Sequence, residues 1–198
     1  GQCVHKIAGH KDVPGRLYMQ NHGGWAEWDG PGGRRPDIGV LRSDDHGHSW
    51  YSIAKGLPSD FGFPIVVHPH DPDVVYVMPL EPSTRTCPGG SPAVWRSENG
   101  GKSWKKMGLE KSEHIGRIVV DPRDSRVVWV AAYGPLWSSG GERGVYKTVD
   151  GGGTWKQVLK VDDDTGANDL AMDPTNNRIV SCRSRLALNP CLSVCIRG

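Results

Sequence analysis

Apolar residues along this chain come in short β-branched runs separated by compact polar clusters, and one such arrangement recurs. Ile65-Val-Val-His-Pro-His-Asp-Pro-Asp-Val-Val-Tyr-Val77, Ile118-Val-Val-Asp-Pro-Arg-Asp-Ser-Arg-Val-Val-Trp-Val130 and Leu170-Ala-Met-Asp-Pro-Thr-Asn-Asn-Arg-Ile-Val180 each place apolar run, polar turn and apolar run in the same order. Their first prolines stand at 69, 122 and 174, spacings of 53 and 52 residues. Runs this short, bounded by Pro, Asn, Asp and Gly, predict β-strands. In the second unit the strands are expected at 64–67, 74–78, 93–97 and 103–107, and no segment carries a helical apolar period of useful length.

A second pattern runs in phase with the first. Ser43-Asp-Asp-His-Gly-His-Ser-Trp50, Ser97-Glu-Asn-Gly-Gly-Lys-Ser-Trp104 and Thr148-Val-Asp-Gly-Gly-Gly-Thr-Trp155 share the form Ser/Thr-x-Asp/Asn-x-Gly-x-Ser/Thr-Trp, with tryptophans 54 and 51 residues apart. Two patterns sharing one period of about fifty residues, with four short strands in each period, predict propeller blades. The expected fold is therefore all-β: a β-propeller of about three to four four-stranded antiparallel blades, incomplete or four-bladed, over residues 1–180. The units run at about 14–63, 64–116 and 117–180, and residues 181–198 are expected to form an irregular tail. That tail has no acidic residue and no fourth octapeptide, so the last blade reads as unfinished, as a truncated or altered reading frame would leave it. A start at Gly1 leaves room for a processed leader or a longer parent. Unpaired blade edges invite self-association.

The octapeptide makes physical sense as a turn. A carboxylate at Asp45 or Asp150 can accept backbone N–H bonds across it, the glycines supply positive φ, and Trp50, Trp104 and Trp155 pack between strands, largely buried. Asn99 in the middle copy keeps an acceptor without the charge, which argues for a structural role. The motif resembles the Asp-box, or BNR repeat, of the sialidase-like and sortilin-type propellers, a group that includes xyloglucanases. The resemblance covers roughly residues 12–180, is that of a partial or truncated member, and also implies a structural box.

Alternating strands put the boxes and the Pro/Asp turns at one end of each blade and the long connections at the other: 20–38, 80–92 and 132–142. Long loops on a rigid scaffold are where binding and catalysis concentrate. The first loop combines Trp25 and Trp28, which can stack on sugar rings, with Glu27 and Asp29, candidate acid, base or nucleophile, and with Arg34 and Arg35 as candidate binding residues. Second carboxylates could come from Glu81, Glu110, Glu113, Glu142 or Asp169. The sialidase resemblance implies an arginine triad, a tyrosine–glutamate nucleophile pair and an acid. Arg34, Arg35, Arg85, Arg143, Tyr133, Glu142 and Asp29 are the right types on that face, with Tyr133 and Glu142 as catalytic candidates and Trp137 as a binding one. The arginine motif of that family is missing, and Gly116-Arg-Ile-Val is a weak substitute.

Composition changes this picture little. Glycine at 27 and proline at 15 residues make a turn-rich chain that stays below low-complexity levels. The net charge of +2 comes from intermingled acids and bases, so neither a nucleic acid nor a membrane is an expected partner. Five cysteines form no Cys-x-x-Cys pair, which implies no zinc site and leaves compartment open. His46-x-His48 and His68-x-His70 read as solvated turn histidines, and no metal or cofactor is expected. The residues leave two function classes open: a non-catalytic module binding glycan or protein through its long loops, and a glycoside hydrolase of sialidase or xyloglucanase type. The distance between carboxylates on the long-loop face separates them.

Overall fold

The computed structural model describes residues 3–22, 38–90, 93–186 and 189–197. They form fifteen strands and, among the described residues, no α-helix. No described helix is long and apolar enough to cross a membrane. The strands are β1 (Cys3–His10), β2 (Val13–His22), β3 (Gly39–Ser43) and β4 (Tyr51–Ser52), then β5 (Phe61–Val67), β6 (Val75–Leu80), β7 (Trp95–Ser97) and β8 (Lys105–Lys106). They continue with β9 (Ile115–Val120), β10 (Val128–Ala132), β11 (Gly144–Thr148) and β12 (Lys156–Leu159), and end with β13 (Gly166–Met172), β14 (Ile179–Leu186) and β15 (Asn189–Arg197). Each set is one antiparallel sheet in chain order, four-stranded for the first three and three-stranded for the last.

Position in the sheet is reflected in the composition of several strands. The inner strands β6 (Val-Tyr-Val-Met-Pro-Leu) and β10 (Val-Trp-Val-Ala-Ala) are continuous apolar runs buried throughout, as strands covered on both faces are, whereas inner strand β2 is mixed in composition and buried only over Tyr18–Asn21. The fourth strands are short and polar: Lys105–Lys106 in β8 and Lys156 in β12 put ammonium groups on an edge, where charge discourages pairing with another chain.

The chain divides into two compact units, Gly1–Arg85 with Trp95–Lys105, and Thr86–Val94 with Lys106–Gly198. In each, the core lies between two sheets. Tyr18 and Val40 from the first sheet and Ile65, Val75 and Val77 from the second enclose Ile53, Ala54 and Leu57 of the connection between them. In the second unit Trp129, Ala131 and Val145 face Ala167, Leu170, Val180 and Cys182. The second unit of the sequence repeat carries its four strands where the apolar runs place them, each within about three residues.

The structure departs from the sequence expectation at the C-terminal end. Residues 181–198, expected to be irregular, carry the rest of β14 and all of β15. The box tryptophans, expected to be largely buried, are mostly covered, and each indole donates its N–H to a backbone carbonyl.

Candidate functional site

The three octapeptides are the β3–β4, β7–β8 and β11–β12 turns, and they share one hydrogen-bond scheme. The first hydroxyl, Ser43, Ser97 or Thr148, accepts the N–H groups two and four residues on. It donates to Asp45 Oδ1 at 2.7 Å, Asn99 Oδ1 at 3.0 Å and Asp150 Oδ1 at 2.5 Å. That same oxygen accepts the N–H of Ser49, Ser103 or Thr154 at 2.8 to 2.9 Å. The second carboxylate oxygen accepts the Ser49 or Thr154 hydroxyl, and in the middle copy the Asn99 amide donates to Ser103 Oγ instead. Hydrogen bonds from Ser49 and then Ser43 hold the Asp45 carboxyl well below the usual carboxylate range, and Thr148 and Thr154 do the same for Asp150.

Trp104 donates to Ile53 O at 2.8 Å and Trp155 to Met107 O at 2.6 Å, each tying its box to chain about fifty residues upstream. Trp50 turns onto Gly47 O within its own box. Position four of each box, His46, Gly100 or Gly151, has positive φ and donates its N–H to its own sheet, at Gly15 O near the start of β2 or at Asp73 O and Arg126 O in the first-to-second turns. Only His46 there bears a side chain.

The Pro/Asp turns repeat as closely. Asp121 and Asp173 each accept the N–H two residues on, and His68 Nδ1 takes that place in its turn, accepting from His70. His68 is therefore buried, not solvated as the sequence suggests, and burial pushes its pKa down. His46, His48 and His70 are exposed.

At the opposite end of the sheets lie the long connections. Residues 23–37 join β2 to β3, and Trp25, Glu27, Trp28, Asp29, Arg34 and Arg35 all lie outside the described residues. The described candidates sit in the β10–β11 loop. Arg143 is buried there, and its guanidinium donates to four carbonyls of that loop: Tyr133, Pro135, Ser138 and Gly140. That arginine is occupied by its own loop. Tyr133 is half-buried, and Glu142 Oε2 accepts the Lys111 N–H at 2.7 Å while its own N–H donates back to Lys111 O. Trp137 stands at the tip, 90 % exposed, beside exposed Leu136. Of the other carboxylates, Glu110 pairs with Lys106 at 2.9 Å and Asp169 lies 3.7 Å from Arg117. Glu81 and Glu113 use backbone carbonyls to accept from Arg85 N and Cys87 Sγ.

The sequence reading missed one cluster. Cys3, His5 and His22 bring ligand atoms within 4.8 Å of one another at the start of β1 and the end of β2. His22 Nδ1 lies 2.7 Å from His5 Nε2, and His5 Nδ1 lies 2.6 Å from Gly62 O. Phe63 stacks on the His5 ring and Phe61 meets both imidazoles edge-on. The signal was present as Cys3-x-His5 on one strand and His22 on the next. Finding it required the register, which pairs Cys3 with His22.

Comparison with known proteins gives the same architecture. No curated protein sequence matches the chain. A GH74 enzyme from Niastella koreensis superposes with TM-score 0.61 and 18% identity, covering 91% of this chain and 26% of that one. An ancestral GH74 enzyme gives 0.67 and 18%, covering 92% and 22%. The GH74 xyloglucanase from Xanthomonas campestris gives 0.62 and 17%, covering 96% and 28%. The chain thus spans about a quarter of the length of these enzymes and shares their β-propeller fold. The family model described as Sortilin, neurotensin receptor 3 matches residues 39–161, well over half of the chain, and on that ground the protein belongs to the Sortilin-Vps10 family of β-propellers.

Proposed function

We propose that this chain is a non-catalytic Asp-box propeller module that binds a glycan or a protein through its long loops. The observation that carries the reading is Trp137: an indole 90 % exposed, held out on a loop whose backbone is gripped by the four hydrogen bonds of Arg143. An exposed aromatic on a preorganised loop offers stacking area at little entropic cost. The boxes serve as structural turns, since Asn99 makes the Asp45 and Asp150 contacts without a carboxylate. Trp25 and Trp28 would add stacking area, and Arg34 and Arg35 charge, from the loop joining β2 to β3.

A glycoside hydrolase is the second reading, favoured by the fold shared with the GH74 enzymes. It would need Glu27 or Asp29 opposite a partner such as Glu142. Binding is preferred because Glu142 is engaged with the Lys111 backbone and Arg143 with its own loop.

The test is a glycan-array screen and a titration with xyloglucan oligosaccharides, followed by release of a chromogenic aglycone. The reading predicts saturable binding without turnover and about a tenfold loss of affinity in Trp137→Ala, roughly 1.4 kcal/mol. Turnover abolished by Glu142→Gln, with binding indifferent to Trp137, would replace it with the hydrolase.

A further inference from the structure

We propose that Cys3, His5 and His22 form a site for one Zn²⁺ ion, with three protein ligands and a fourth position left open. The sheet itself assembles the ligands. Cys3 and His22 are cross-strand partners in the β1–β2 ladder, and the register shift between Val4 and Lys6 leaves His5 as the extra residue of a bulge. Cys3 and His5, two residues apart, share a face by alternation, and the one-residue slip of the bulge sets His22 opposite Cys3 where an unbroken register would set it opposite Val4. All three ligand atoms fall within 4.8 Å of one another. Zinc bonds of about 2.0 to 2.3 Å set tetrahedral ligand atoms roughly 3.3 to 3.7 Å apart, so closure asks for side-chain shifts of about 1 Å or less.

The surroundings are those of a metal centre. The contact between His5 Nδ1 and Gly62 O assigns the proton to Nδ1 and leaves the Nε2 lone pair facing His22 and Cys3. A ligating imidazole whose other nitrogen is held by a carbonyl is the usual outer-shell arrangement. Gly62 is fixed in turn, because a side chain there would collide with Met78 O. Phe63 stacks on His5 at 4.6 Å between centroids, and the Phe61 ring is 5.5 Å from His22, so neither imidazole is free to swing.

The donor set selects the ion. One thiolate and two imidazoles suit a borderline-soft cation and exclude calcium and magnesium, which need oxygen ligands. Zn²⁺ takes the place of the His22 Nδ1 proton, which moves to Nε2 as that imidazole changes tautomer, and displaces the thiol proton of Cys3, so binding releases one proton to solvent. The open position would take water or a donor atom of a ligand. Uptake of the ion does not depend on Trp137, so this inference stands or falls separately from the binding reading.

The experiment uses the full chain, reduced and stripped with a chelator, and titrates it with Co²⁺ as a visible stand-in for Zn²⁺. The expected result is one equivalent bound, with tetrahedral d–d bands and a thiolate-to-cobalt charge-transfer band, both removed by one equivalent of Zn²⁺. Cys3→Ser should abolish the charge-transfer band, and His5→Gln and His22→Gln should each weaken Co²⁺ at least about tenfold. Circular dichroism of each variant checks that it still folds. A second readout needs no variant: Zn²⁺ should protect Cys3 from alkylation, followed by peptide mapping, while buried Cys87 and Cys182 stay unreactive throughout. Failure of the wild type to take up Co²⁺ at micromolar concentrations, a charge-transfer band that survives Cys3→Ser, or alkylation of Cys3 unaffected by Zn²⁺ would overturn the site.

Discussion

Asn99 is a substitution already present in the chain, and it separates two jobs that a carboxylate does in the box. Accepting the Ser103 N–H and closing the turn needs only a carbonyl oxygen. Charge adds pH dependence. The native pKa values of Asp45 and Asp150 are depressed, so their contribution is fully present above the unfolded carboxylate value near about 4. It is lost as pH falls through the native values. The double variant Asp45→Asn, Asp150→Asn should therefore melt within a few degrees of wild type at pH 7 and lose less stability between about pH 4 and 2, checked by thermal melts across that range. Trp155→Ala should be severe by comparison, about 2–4 kcal/mol, because it removes a half-buried ring and orphans Met107 O. His46 offers a change of opposite sign. Its φ of 62° is one that Gly100 and Gly151 adopt without cost, so His46→Gly should raise the melting temperature by about 2–4 °C, measured by calorimetry.

At the scale of elements, strands and turns were legible where local chemistry dictates them. The apolar runs located β5, β6, β9 and β10, and the octapeptides located three turns, because strand periodicity and Asx-type turns are decided within about ten residues. What depends on neighbours was not legible. The anchor of Trp104 is a carbonyl fifty-one residues away, at Ile53. His68 looks like a surface residue in His-Pro-His and is buried because its imidazole fills the acceptor position that Asp121 and Asp173 fill elsewhere. The Cys3–His22 pairing depends on a bulge that no composition announces. Arg143 was readable only as a right-type cation on the right face, whereas its four carbonyl partners make it the clamp of the β10–β11 loop. Arg143→Lys keeps the charge and loses the planar fork, so it should speed amide exchange across residues 134–141 at least about tenfold while leaving the β10 and β11 amides protected. Equal protection in the two proteins would mean the loop is held by something else.

For the molecule as a whole, the fifty-residue period was the strongest single piece of sequence information, since it set the four-stranded blade, bounded the blades at about three to four, and indicated the end of each sheet from which the long connections emerge. It said nothing about which loop meets a ligand, because residues that bind are under no periodic constraint. That assignment rests on chemistry: an exposed indole on a clamped loop, opposite box turns whose carboxylates are satisfied within the turn. Amide hydrogen exchange with and without a bound oligosaccharide or peptide ligand tests it most directly. The account predicts ligand-induced protection concentrated in residues 133–143 and none in the box turns at 43–50 and 148–155. Protection at the box turns, with 133–143 unchanged, would contradict it.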